Sequence, residues 1–249
     1  MIDQQLITEL EKISDPQKLI GEVFSRFGNR AAIGTSGQLT GVVMIDLAVK
    51  AGIKAPRVFT IDTLRLFPET YALFGALEKK YKIKMERIKP NEDKIGAMVK
   101  ESGEYLFFDS KAKQEHCCFL RKVEPNERVL KTVDVWLTGL RKDQSARRSK
   151  TSRFEIIRHK EDGHPILKIA PLADWSEEQL KTYAKKNQVP VHSLLEWNQS
   201  GWYYESLGCI ICTTPIGPTE PRRAGRWRWF KLDDDKECGI HDREHKDEI

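Results

Sequence analysis

A unit of short apolar run, polar turn and amphipathic stretch recurs along the first half of the chain. Ala31–Gly34 is followed by Thr35-Ser36-Gly37, and then Leu39, Val42, Val43, Asp46 and Leu47 fall at helical spacing. Arg57–Ile61, rich in β-branched and aromatic residues, stops at Asp62-Thr63, and Pro68 opens a helix that turns Tyr71, Phe74, Leu77 and Tyr81 inward. Ile83–Ile88 reads as a third strand and Val133–Thr138 as a fourth, running into Gly139. Strands alternating with helices of this length predict an α/β fold, a mainly parallel sheet with helices on both faces. Ligands of such sheets bind at the carboxyl ends of the strands. Those ends are Thr35-Ser36-Gly37, Asp62-Thr63 and Gly139–Asp143, polar segments that a core does not need.

The flanks are of a different kind. Leu6, Leu10, Ile13, Leu19, Ile20, Val23 and Phe24 give a helical lead-in, restarted at Asp15-Pro16. Phe154–His159 and Ile166–Ile169 form a hairpin around Asp162-Gly163, and Ser176 caps a helix reaching about Asn187. Beyond Val189 periodicity fades. The expected organisation is an α/β nucleotide-binding domain over residues 1–197, with an irregular segment over 198–249 packed on it and held by ligands rather than by a core of its own. No run approaches the ~18 apolar residues of a membrane span, and Met1–Lys18 is not signal-like, so a cytoplasmic protein with no membrane partner is expected.

Basic residues cluster at Arg141–Arg153 and Arg222–Lys231, which suits a phosphate-bearing ligand as well as nucleic acid, or merely a solvated face. Ser36-Gly37, between a strand and a helix start, offers backbone N–H groups to an anionic oxygen, although many such turns carry Ser-Gly for geometry alone. The five cysteines say more. Their odd number, without an export signal, argues for metal ligation or catalysis over a disulfide framework. Cys117-Cys118 and Cys209-x-x-Cys212 supply four thiolates for zinc or an iron–sulfur cluster, and the tandem pair favours the cluster because neighbouring side chains diverge. Cys238, in Lys236-Glu237-Cys238-Gly239-Ile240-His241, has nearby cations that could activate a nucleophile, yet on its own an idle surface thiol is the plainer reading.

Taken in order, several motifs resemble those of the assimilatory adenylyl-sulfate (APS) and phosphoadenylyl-sulfate (PAPS) reductases, of the adenine nucleotide α-hydrolase-like superfamily. They are Ile61-Asp62-Thr63, Arg65, Pro68-Glu69-Thr70-Tyr71, Cys117-Cys118 with Arg121-Lys122, Thr138-Gly139, Arg141–Ser145, Cys209-x-x-Cys212, Gly225-Arg226-Trp227 and Lys236–His241. The resemblance spans roughly residues 30 to 241. It implies Cys238 as the nucleophile and a [4Fe–4S] cluster on Cys117, Cys118, Cys209 and Cys212, in the branch that prefers APS. It further implies phosphosulfate binding by Lys122, Arg223, Arg226 and His241, with adenine and ribose near Ile61, Asp62 and Thr63 beside Gly139 and Arg141.

The implied products are sulfite and AMP, with thioredoxin or glutaredoxin as reductant and no nucleic acid; a homo-oligomer is left open. The family turn differs here in reading Ser36-Gly37-Gln38-Leu39-Thr40, and the Arg147-Arg148-Ser149 stretch is about one residue short, which bears on placing Arg148 at a phosphate. Competing readings are a PAPS reductase, an iron–sulfur ATP-dependent tRNA thiolase, whose RNA contacts would explain the basic clusters, and a non-catalytic nucleotide-binding redox sensor.

Overall fold

A computed structural model describes residues 2–145, 147–195, 201–230 and 240. The lead-in forms two helices, α1 (Gln4–Glu11) and α2 (Pro16–Phe27). Asp15 accepts the Lys18 N–H at 2.8 Å and Pro16 occupies the first turn of α2, where its missing N–H costs no hydrogen bond. Then β1 (Ala31–Gly34), α3 (Leu39–Lys50), β2 (Val58–Ile61), α4 (Pro68–Tyr81) and β3 (Met85–Ile88) alternate as the sequence predicts. They are followed by α5 (Glu92–Ser102), α6 (Lys111–Cys118), α7 (Glu124–Leu130), β4 (Val135–Leu137), β5 (Phe154–Arg158), β6 (Pro165–Ile169) and α8 (Glu177–Lys186).

The sheet has six strands in the order β3-β2-β1-β4-β6-β5. Parallel ladders place Ile33 opposite Val58, Ala32 opposite Trp136 and Trp136 opposite Lys168, while β5 runs antiparallel to β6 at the edge. The sheet is therefore mixed: the Asp162-Gly163 hairpin adds a reversed edge strand to an otherwise parallel core.

The chain divides into two units, one of residues 1–60, 68–86 and 130–193 and the other of 61–67, 87–129 and 194–249. In the first, α3 is buried from Thr40 to Ala48, as expected of a helix that is apolar nearly all round. Its one buried acid, Asp46, receives the Tyr81 and Tyr183 hydroxyls at 2.9 and 2.7 Å and the Lys50 ammonium at 2.9 Å, so the charge is compensated. The second unit has a core of Met98, Leu106, Phe107, Cys117, Leu120, Cys209, Cys212 and Trp227. Cys209, Cys212 and Trp227 thus pack in an apolar cluster shared with Met98–Leu120. Among the described residues no helix is long and apolar enough to cross a membrane.

Candidate functional site

In the first unit, the turn after β1 is shaped for close approach. Thr35 Oγ1 accepts the Gly37 N–H at 3.1 Å, and Gly37 takes φ +79°, a conformation that disfavours any side chain. Gln38, the residue before α3, makes no side-chain cap, so the first N–H groups of α3 have no partner from it. A second loop folds against this turn. Gly139 comes so near that a Cβ there would lie 3.4 Å from the Gly41 nitrogen and from Thr40 Cβ.

Arg141, buried, donates to Thr40 Oγ1 at 3.0 Å and pairs with Asp143 at 2.8 Å. Gln144 ties the loop together: its Oε1 accepts from the Arg141 backbone and from Arg148 Nη1, and its Nε2 donates to the Gly139 carbonyl. Ser36, Gly37, Gly139, Arg141 and Arg148 thus belong to one pair of loops, with N–H groups and guanidinium groups suited to an anion.

The second unit gathers the other predicted residues. One cavity is lined by Cys117, Cys118, Cys209 and Cys212 with Arg65, Arg121, Lys122 and Gln114 among its walls. None of the four is in a disulfide, and of the four only Cys118 is not buried. Helix α6 ends at Cys118, and residues Phe119–Val123 continue as a π-helical turn, whose Arg121 and Lys122 line the cavity. Such widened turns recur at functional sites. Ile210–Cys212 closes the opposite side as a tight turn, with the Ile210 N–H donating to the Arg65 carbonyl at 2.8 Å.

Basic and polar groups crowd the sulfurs. Thr63 Oγ1 lies 3.3 Å from Cys209 Sγ, Gln114 Nε2 donates to Cys118 Sγ at 3.0 Å, and Arg121 Nη1 holds the Thr63 carbonyl at 2.9 Å. Arg226 is buried over Gly208, where a Cβ would fall 2.4 Å from its guanidinium, and it faces the Trp227 ring at 4.9 Å. Burial pushes the Cys117 thiol up, and pushes Cys212 up to about 12 with help from neighbouring Cys209. Burial acts on Cys209 in the same direction, but Lys122, the Thr63 hydroxyl, Arg226 and Arg121 together outweigh it and leave that thiol below its ordinary value. Asp62 accepts the Leu64 N–H at 3.0 Å and its own N–H reaches the Ile88 carbonyl, next to Ile61 at the end of β2. Arg223 accepts the Arg226 N–H through its carbonyl. Cys238 and His241 lie outside the described residues.

Two observations bear on what the cavity can hold. Among the described residues, Arg65 Nη1 and Arg121 Nε on the cavity wall, and Arg226 Nε near Cys209, are buried donors without an acceptor, an arrangement that suits an anionic guest. Among the described residues no three of these sulfurs lie within 4.8 Å of one another, whereas tetrahedral zinc would set them about 3.8 Å apart. A larger group with separate metal corners fits the cysteines better than one ion. Arg65, Arg121 and Gln114 were not assigned a role from the sequence; the signal for Arg121 was its place three residues after Cys118, one helical turn on.

The chain matches the phosphoadenosine phosphosulfate reductase domain over residues 30–215. It belongs to that family. An adenosine 5'-phosphosulfate reductase of Rhizobium tropici is 39% identical over 181 residues, covering 73% of this chain and 95% of that protein. One of Sinorhizobium fredii is 35% identical over 246 residues, covering 97% and 94%. The crystal structure of a phosphoadenylyl-sulfate reductase from Candida auris, in a phosphate complex, superposes with a TM-score of 0.67 at 30% identity, covering 86% of this chain and 98% of that one. The fold is that of the adenine nucleotide α-hydrolase-like reductases, and the pair of loops at 35–37 and 139–148 and the cavity residues Arg65, Gln114, Arg121 and Lys122 all fall inside the matched residues of the family.

Proposed function

We propose that this chain reduces adenylyl sulfate to sulfite and AMP with electrons from a thiol, as a cytoplasmic enzyme of sulfate assimilation. The observation that carries the reading is the cavity: four thiols from two distant segments line it together with Arg65 and Arg121, each with one buried N–H that has no acceptor among the described residues, in a chain of the phosphosulfate reductase family.

Sulfur in a phosphosulfate is electrophilic because AMP is a good leaving group. The Cys238 thiolate attacks it, forming a sulfur–sulfur bond as the bond to the phosphate oxygen breaks, and AMP departs with that electron pair. A thioredoxin or glutaredoxin thiolate then attacks the Cys238 sulfur, sulfite leaves with the electron pair of the S–S bond, and the partner's second thiol resolves the mixed disulfide. Lys122, Arg223, Arg226 and His241 neutralise the phosphosulfate and the charge that grows on the leaving phosphate. Ser36, Gly37 and Arg148 serve the nucleotide phosphate, while Ile61, Asp62, Thr63, Gly139 and Arg141 hold adenine and ribose.

Cys117, Cys118, Cys209 and Cys212 would hold a [4Fe–4S] cluster, which supplies a fixed charge and a covalent anchor rather than electrons. Residues 198–249 then form the cluster-binding and catalytic segment on a nucleotide-binding domain of residues 1–197. The deciding experiment measures sulfite release from APS and PAPS side by side on anaerobically purified protein with a thiol donor. Faster kcat/KM for APS is expected; preference for PAPS, as the name of the Candida auris relative would suggest, moves the substrate assignment, and no sulfite from either overturns it.

A further inference from the structure

The turn between β5 and β6 carries a cluster that sulfur chemistry leaves unused. His159, Asp162 and His164 bring three ligand atoms within 4.8 Å of one another. His159 Nδ1 lies 2.9 Å and His164 Nδ1 2.8 Å from the same oxygen, Asp162 Oδ1. The backbone sets this up. Gly163 at φ +68° lets its N–H reach the His159 carbonyl at 3.0 Å, and the His159 N–H donates to the His164 carbonyl at 3.0 Å, so residues 159, 162 and 164 converge across one tight loop.

The rings stack at 5.1 Å between centroids and 29° between planes, which points both Nδ1 edges at the carboxylate. His164 Nε2 sits 3.3 Å from the Val133 carbonyl. A proton donated there leaves the Nδ1 lone pair for a metal, the outer contact that metal-binding histidines usually make. The His159 side chain is only 1% exposed, whereas Asp162 is 46% exposed and leaves one side open to water.

We propose that His159, Asp162 and His164 form a zinc site that clips the β5–β6 turn. Two imidazoles and a carboxylate suit zinc or a similar borderline divalent ion rather than magnesium or calcium, and water would complete a tetrahedron. Zinc bonds of about 2.0–2.1 Å set ligand atoms roughly 3.3 Å apart, so the two N···O distances need widen by only about half an ångström. Binding displaces to solvent any proton that either Nδ1 shares with the carboxylate. The clip would hold the antiparallel edge pair of the sheet, of which β6 is bonded to β4.

The test titrates zinc chloride into wild-type protein, Asp162→Asn and His164→Gln, with the cysteine cavity in the same state in each, and counts bound zinc after gel filtration. Wild type should retain one zinc per chain more than either variant, and zinc should raise its Tm several degrees more than theirs. Zinc X-ray absorption on wild type, which needs no variant to fold, should show nitrogen and oxygen neighbours with imidazole scattering. Equal stoichiometry and equal melting shifts in all three proteins would overturn the site, as would a zinc shell made only of sulfur.

Discussion

The Thr63 hydroxyl stands 3.3 Å from Cys209 Sγ, across 146 residues of chain, beside a cavity thiol that its surroundings hold below the ordinary value. A hydrogen bond to a charged acceptor contributes about 1.5–3 kcal/mol, and Thr63→Val removes it at nearly constant volume. The Cys209 thiol should rise, and, if the cavity holds the proposed cluster, iron should pass to a ferrous chelator several-fold faster than from wild type. Identical release rates would assign the hydroxyl to the substrate side alone.

His192 is buried and shares a 2.9 Å hydrogen bond with Thr70 Oγ1, and burial pushes its pKa below the usual 6.5. The unfolded chain therefore binds a proton more readily than the folded one. Stability from this group is complete above 6.5 and is lost as pH falls from there towards the depressed folded value, at a rate of at most about 1.4 kcal/mol per pH unit. Urea unfolding between pH 7 and pH 5 should show His192→Gln with a flatter acid limb than wild type. Parallel curves would mean the histidine binds its proton equally well in both states.

Much of the scaffold is legible in the sequence. The turns at 35–37 and 62–63 and helices α3 and α4 follow from local periodicity, and the β5–β6 hairpin from Asp162-Gly163. What escaped depends on distance or on subtle backbone change. Nothing in the composition of Phe119–Val123 marks a π-helical turn, because one extra residue in a helical turn leaves the apolar pattern nearly intact. That β6 would lie between β4 and β5 is a matter of sheet register that no single segment encodes. The Thr63 hydroxyl, expected near a nucleotide from its place at a strand end, adjoins Cys209, and Thr70 meets His192 across 122 residues.

Arg141 links two loops by its bonds to Thr40 and Asp143. If these loops hold the nucleotide, Arg141→Ala should raise KM for APS about ten- to a hundredfold, the loss of one or two charge-assisted bonds, with kcat changed less. Equal loss in kcat and kcat/KM would instead mean that Arg141 acts only in the transition state.

Cys238→Ser separates binding from chemistry. The variant should retain its iron and bind APS yet release no sulfite, since a hydroxyl offers almost no anion near neutral pH while a thiol, with a reference pKa of about 8.5, does. Without reductant, wild type should gain one sulfite-equivalent mass on the peptide containing Cys238. An adduct on Cys117, Cys118, Cys209 or Cys212 would reassign the nucleophile.

The cavity's sulfurs reach it from segments about ninety residues apart. At ribosomal speeds of roughly 5–20 residues per second, Cys117 and Cys118 leave the synthesis machinery about 5–20 s before Cys209 and Cys212 exist. Any metal group that needs all four can therefore be installed only after that interval, and the early pair must stay reduced through it. The order of the ligands along the chain makes cofactor delivery a late event in this protein's life, and it makes a truncated or stalled product one with two reactive thiols and no partners for them.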